Sequence, residues 1–125
     1  MKDGKFLILC VDDDPDILQS LQVVLEANGY LFVSAPTAAA AAKVYETSKP
    51  DLMIIDLMME EVDAGTRFVQ QVRAAGSQVP IYLLSAVGAA LENNIDAAGL
   101  GLDGTFQKPV APRELLDTLA AKLRK

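Results

Sequence analysis

The sequence predicts an α/β protein: a doubly wound parallel sheet of five strands alternating with five helices. Three observations predict it. Short, continuously apolar runs recur along the 125 residues, of which 51% are apolar. Runs that are apolar throughout, rather than at alternate positions, mark strands buried on both faces, as in a parallel sheet between two helix layers. Segments with apolar residues at helical spacing separate those runs, and parallel neighbours need such crossovers.

The elements follow in order. Residues 6–11 form a fully apolar first strand. Asp14 offers an N-cap with Pro15 at the first helical position, and Ile17, Leu18, Leu21, Val24 and Leu25 follow at helical spacing. Asn28-Gly29 ends that helix. Residues 30–33 are a second strand. Thr37 caps an Ala-rich helix through Tyr45, closed by Lys49-Pro50. Residues 52–55 are a third strand that ends at Asp56. Residues 57–65 read as a loop with Gly65 at its end. Phe68, Val69 and Val72 give one face of a third helix, ended near Gly76. Residues 81–84 are a fourth strand ending at Ser85. Leu91, Ile95 and Ala98 mark a fourth helix, broken by Gly99 and Gly101. Residues 105–107 are a short fifth strand ending at Lys108-Pro109. Pro112 opens a last helix with Leu115, Leu116, Leu119 and Leu123 on one face. No linker, internal repeat or second unit interrupts the pattern, so residues 1–125 read as one domain.

Composition narrows the chemistry. No run approaches the roughly 18 apolar residues of a membrane helix, and the N-terminus is wrongly built for a signal peptide. A cytoplasmic protein with no membrane contact is expected. Seventeen acidic against eleven basic residues give a net charge of −6, which argues against direct nucleic-acid binding. Lys122, Arg124 and Lys125 cluster where a helix C-terminus favours cations. Cys10, the only cysteine, sits in an apolar strand and reads as a small hydrophobe. There is no histidine. His-based zinc sites, Ser-His and Cys-His pairs and an internal phosphohistidine are thereby excluded. Chemistry must run on carboxylates, hydroxyls and lysines.

Such residues gather at strand ends. In a doubly wound sheet, sites form outside the carboxyl ends of the strands. Here those ends carry Asp12-Asp13-Asp14, Asp56, Ser85 and Lys108-Pro109. Each has an ordinary reading: aspartates cap helices and turn strand ends, hydroxyls end many strands, and Lys-Pro is a plain loop signal. One cap needs only one aspartate, however, and the four sites occur each at its own strand end. Clustered carboxylates repel, and so raise their pKa values or recruit a cation. Oxygen ligands without histidine or thiolate suit Mg2+. A carboxylate can accept a phosphoryl group as an acyl phosphate, with an ammonium and a hydroxyl stabilising its oxygens.

Residues 8–18, the stretch 50–59, Leu84-Ser85-Ala86 and Gln107-Lys108-Pro109-Val110 resemble the receiver domain of two-component response regulators. The likeness spans roughly residues 5–123. It implies a flavodoxin-like fold with strand order 2-1-3-4-5. It implies Asp56 as phosphoacceptor, with Ser85 and Lys108 on the phosphoryl oxygens. Mg2+ would be held by Asp13, by Asp56, by the Met58 backbone carbonyl and, through water, by Asp12. A cis peptide would precede Pro109. The implied donor is a histidine kinase or phosphotransfer protein, necessarily another polypeptide. The implied output is a downstream protein or an effector domain outside this chain, with the receiver monomeric or dimerising on phosphorylation.

Three features depart from the family pattern. Glu60 stands where a proline is usual, and the loop to Gly65 is one residue longer. Thr105 stands where the switch aromatic is usual, with Phe106 one position late. The Ser85–Lys108 segment is rich in glycine: Gly88, Gly99, Gly101 and Gly104. Two other classes stay in view. A receiver-like module that binds partners without phosphorylation would fit Glu60 and Thr105. An aspartyl-phosphate hydrolase would need an acid–base aspartate two residues after the nucleophile, where Met58 stands. An FMN binder is disfavoured, because three aspartates would repel the FMN phosphate.

Overall fold

The computed structural model describes residues 4–56, 64–85, 102–107 and 110–123. In chain order they form β1 (Leu7–Val11), α1 (Pro15–Ala27), β2 (Leu31–Ala35), α2 (Ala38–Ser48), β3 (Leu52–Asp56), α3 (Ala64–Ala74), β4 (Ile81–Ser85), β5 (Gly104–Gln107) and α4 (Pro112–Lys122). The helix expected around Leu91, Ile95 and Ala98 lies outside the described residues, so α4 is the helix that Pro112 opens.

All four strand pairings are parallel, in the order β2-β1-β3-β4-β5 expected from the resemblance. Strand parity explains the continuous apolar runs. Leu9, Val11, Met53, Ile55, Ile81 and Leu83 face α2 and α3, where they meet Ala41, Phe68, Val69 and Val72. Ile8, Cys10, Leu52, Ile54, Tyr82 and Leu84 face α1 and α4, where they meet Leu21, Leu25, Leu115 and Leu119. Each central strand therefore needs apolar side chains at every position. No helix among the described residues is long and apolar enough to cross a membrane.

Local chemistry sets the element ends. Asp14 caps α1, its Oδ1 accepting the Asp16 N–H at 2.9 Å. The far end of α1 is a Schellman turn: Gly29 is left-handed (φ 88), and the Tyr30 N–H donates to the Leu25 carbonyl at 3.0 Å. That bond draws Tyr30 out of the expected second strand, which runs from Leu31 to Ala35 instead. Thr37 Oγ1 accepts the Ala40 N–H at 3.0 Å and caps α2. Lys49, left-handed at φ 50, ends α2 before Pro50. The expectation of a loop through Gly65 is corrected: α3 begins at Ala64, so Gly65 is helical.

The amino edge of the sheet carries two carboxylates that sequence reasoning did not single out. Asp51 Oδ2 accepts the Leu7 N–H at 2.8 Å, and Asp103 Oδ2 accepts the Ile81 N–H at 2.9 Å. Each aspartate directly precedes a strand, and that placement is the sequence signal that could have found them.

Candidate functional site

The carboxyl edge of the sheet divides the three consecutive aspartates among different tasks. The Asp12 N–H extends the β1–β2 ladder by donating to the Ala35 carbonyl at 3.2 Å. Its Oδ1 accepts the Asp14 N–H at 2.9 Å, which turns the chain toward α1. Asp12 is thereby fully buried, Asp13 is exposed and Asp14 becomes the helix cap. Asp56 ends β3, next to β1 in the sheet, and is 2% exposed. Ligand oxygens of Asp12, Asp13 and Asp56 all lie within 4.8 Å of one another.

At that spacing each pair of charges repels by at least roughly 3 kcal/mol with an effective dielectric of 20. A divalent cation answers that repulsion, and an all-oxygen set suits Mg2+ or Ca2+ over softer metals. The three oxygens, all within 4.8 Å of one another, could hold such an ion. The donor set therefore fits the metal that the sequence led us to expect.

Cys10 lies two residues before Asp12, on the face toward α1 and α4. Burial raises its thiol pKa far above the ordinary value, and the nearby Asp12 charge raises it further. The thiol is accordingly a packing group and not a nucleophile. A pH effect follows. Above the ordinary thiol pKa of about 8.5, the unfolded chain releases a proton that the folded chain retains. This contribution to stability is intact below that pH and declines above it, by at most about 1.4 kcal/mol per pH unit. Urea denaturation between neutral pH and pH 10 should show a steeper alkaline decline in wild type than in Cys10→Ala. Equal slopes would contradict the assignment.

The remaining site residues lie along the same edge or beyond the described residues. Asp56 pairs in register with Leu84, which places the Ser85 backbone at the carboxyl end of β4 beside it. Met58, Lys108 and the Lys108–Pro109 peptide bond lie outside the described residues, as do Glu60, Val87, Gly88, Gly99 and Gly101. Thr105 is exposed. Phe106 is 2% exposed and packs on Tyr82 with ring centroids 5.2 Å apart, toward α1 and α4. Adjacent strand residues point to opposite faces. Phe106 therefore does not take over the position that Thr105 occupies.

Comparison with known proteins matches this geometry to a family. The family model described as the response regulator receiver domain matches residues 8–120. The chain belongs to the response regulator receiver family. Among curated proteins, this receiver is 36% identical to the alkaline phosphatase synthesis transcriptional regulatory protein PhoP of Bacillus subtilis over 118 residues, covering 94% of this chain and 48% of that protein. It is also 36% identical to the response regulator MprA of Mycobacterium ulcerans over 120 residues, covering 94% and 50%. The receiver thus spans about half the length of the curated relatives it matches. Among solved structures, the chemotaxis protein CheY4 of Vibrio cholerae superposes with a TM-score of 0.85 at 29% identity, covering 96% of this chain and all of that one.

Proposed function

We propose that the chain is a single receiver domain that accepts a phosphoryl group on Asp56 in a Mg2+-dependent reaction and switches protein contacts. The observation that carries this reading is the convergence of Asp12, Asp13 and Asp56 within 4.8 Å at the carboxyl edge of the sheet. Asp12, Asp13, Asp56 and the Met58 backbone carbonyl are the groups that would hold Mg2+. The ion, when bound, supplies positive charge that offsets the carboxylates and the arriving phosphoryl oxygens.

The protein's own groups do the rest. An Asp56 carboxylate oxygen attacks phosphorus, forming the C–O–P link of an acyl phosphate. With phosphohistidine as donor, the P–N bond breaks and its electron pair returns to the donor imidazole. Lys108 and Ser85 stabilise the transferring oxygens, since phosphoryl transfer needs positioning and charge more than acid–base chemistry. The chain contains no histidine, so the phosphohistidine lies outside these 125 residues, on a histidine kinase or phosphotransfer protein. The protein acts as a phosphoacceptor in the cytoplasm rather than as an enzyme with turnover. Its output is a downstream protein or an effector domain, with the receiver monomeric or dimerising when phosphorylated, and without nucleic acid bound to the receiver itself.

The test is incubation with a small phosphodonor and Mg2+, followed by intact-mass measurement. Wild type should gain one phosphoryl group. Asp56→Asn, and wild type in chelator, should gain none. An unmodified wild type, under conditions that label a control receiver, would favour a binding module that works without phosphorylation. The exposed Thr105 is the observation that keeps that second reading in view.

A further inference from the structure

β5 has little of its own to fix its position. It is four residues long, lies at the sheet edge, and buries only Phe106. Lys108 follows Gln107 directly in the sequence. The register of β5 against β4 fixes the place of Gln107, the last described residue before that lysine. A slip of one residue would shift the strand by about 3.3 Å and turn every side chain to the other face.

Two features at the amino end oppose such a slip. The first is Asp103. Its N–H donates to the Ile81 carbonyl at 2.8 Å, and its Oδ2 accepts the Ile81 N–H at 2.9 Å. Its Oδ1 lies 3.0 Å from Lys122 Nζ, in the last turn of α4. Its Oδ2 also lies 3.5 Å from Arg73 Nη2, in the last turn of α3. Arg73 Nη1 is itself held by the carbonyls of Ser77 and Val79, at 3.1 Å and 2.7 Å. The helices α3 and α4 cover opposite faces of the sheet. One carboxylate thus ties both helix layers to the start of β5.

The second feature is Gly104, opposite Tyr82 in register. A Cβ at Gly104 would sit 2.9 Å from Tyr82 Cε1 and 3.1 Å from Cδ1. The Tyr82 ring is 7% exposed and packs on Phe106, so it has little room to retreat. A slip in either direction would bring the side chain of Asp103 or Thr105 to the position that admits only glycine.

We propose that Asp103 and Gly104 form a register lock for β5, and that through it Asp103 is a positioning residue for phosphoryl transfer to Asp56, acting on Lys108. The proposal rests on the reading of Asp56 as phosphoacceptor. The lock lies on β4 and β5, whereas the acidic triad lies on β1 and β3. It therefore makes a split prediction that loss of folding would not produce.

The experiment measures three quantities on wild type, Asp103→Ala, Asp103→Asn and Gly104→Ala, each at a temperature where the variant stays folded. They are amide exchange in β5, Mg2+ affinity, and the phosphorylation rate with a small donor. Asp103→Ala should speed β5 exchange and slow phosphorylation about ten-fold or more, since small misplacements are costly in transfer reactions. Its Mg2+ affinity should match wild type. Asp103→Asn keeps an oxygen for the Ile81 N–H and should recover part of the rate. Gly104→Ala keeps the carboxylate and should show the same split, which covers the case in which Asp103→Ala fails to fold. Unchanged β5 exchange would overturn the lock. An unchanged rate, or a rate that falls in step with Mg2+ affinity, would overturn the positioning role. A wild type that binds Mg2+ but takes no phosphoryl group would overturn the Asp56 reading and the positioning role with it, while exchange would still report on the lock.

Discussion

Asp12→Asn is expected to stabilise the metal-free protein and to remove most of the stabilisation that Mg2+ confers. Asp12 is fully buried and shares a 4.8 Å sphere with buried Asp56 and exposed Asp13. Replacing one charge by an amide relieves two repulsions of roughly 3 kcal/mol each before solvent screening. Water screens the Asp13 contribution most, so a net gain of about 1–3 kcal/mol is expected. The amide oxygen still accepts the Asp14 N–H, so the turn into α1 survives. In Mg2+ the sign reverses. Wild type gains about 2.7 kcal/mol when the ion is at a hundred times its Kd, and a variant with a weakened site gains less. Urea denaturation with and without Mg2+ measures both effects. A variant that is less stable than wild type without metal would mean that repulsion does not dominate the pocket.

The phosphorylated protein is expected to be long-lived. Met58 and Val87, each two residues after Asp56 and Ser85 respectively, are apolar and cannot orient an attacking water. A positioned polar group is worth about 10²-fold or more in such a step. A half-life of minutes or longer is expected after the donor is removed, with Met58→Asn shortening it by ten-fold or more. The decay of the phosphorylated mass, with no phosphatase present, gives the number. A wild-type half-life of seconds or less would contradict the role given to these residues.

Much of this fold was legible in the sequence for a definite physical reason. In β1 and β3 both faces are covered, so every position of residues 8–11 and 52–55 had to be apolar, and no other common element needs that pattern at that length. The caps at Asp14 and Thr37 were legible because a short oxygen-bearing side chain before a helical run has one obvious use. Gly65 misled because glycine marks turns in general, yet it fits a helix's first turn. Tyr30 misled because its apolar ring suits a strand, while its backbone completes the Schellman turn of α1.

The candidate site divides the same way. Asp12, Asp13 and Asp56 stood out because three carboxylates at two strand ends have no structural need to converge. Asp51 and Asp103 did not stand out, because a single aspartate before a strand looks like any turn residue. Their work, accepting a neighbouring strand's amide, depends on the strand order. Parity settled another point. Phe106 is one residue from the exposed Thr105, and that single step turns it to the other face of β5, into the core beneath α1 and α4.

The most direct measurement traps the acyl phosphate and locates it. Phosphorylated protein is reduced with borohydride, which converts an aspartyl phosphate to homoserine, then digested and mapped by mass spectrometry. The account predicts homoserine at position 56 alone, dependent on Mg2+ and absent from Asp56→Asn. Homoserine at Asp12 or Asp13, or none anywhere in protein that carries a phosphoryl group, would contradict it.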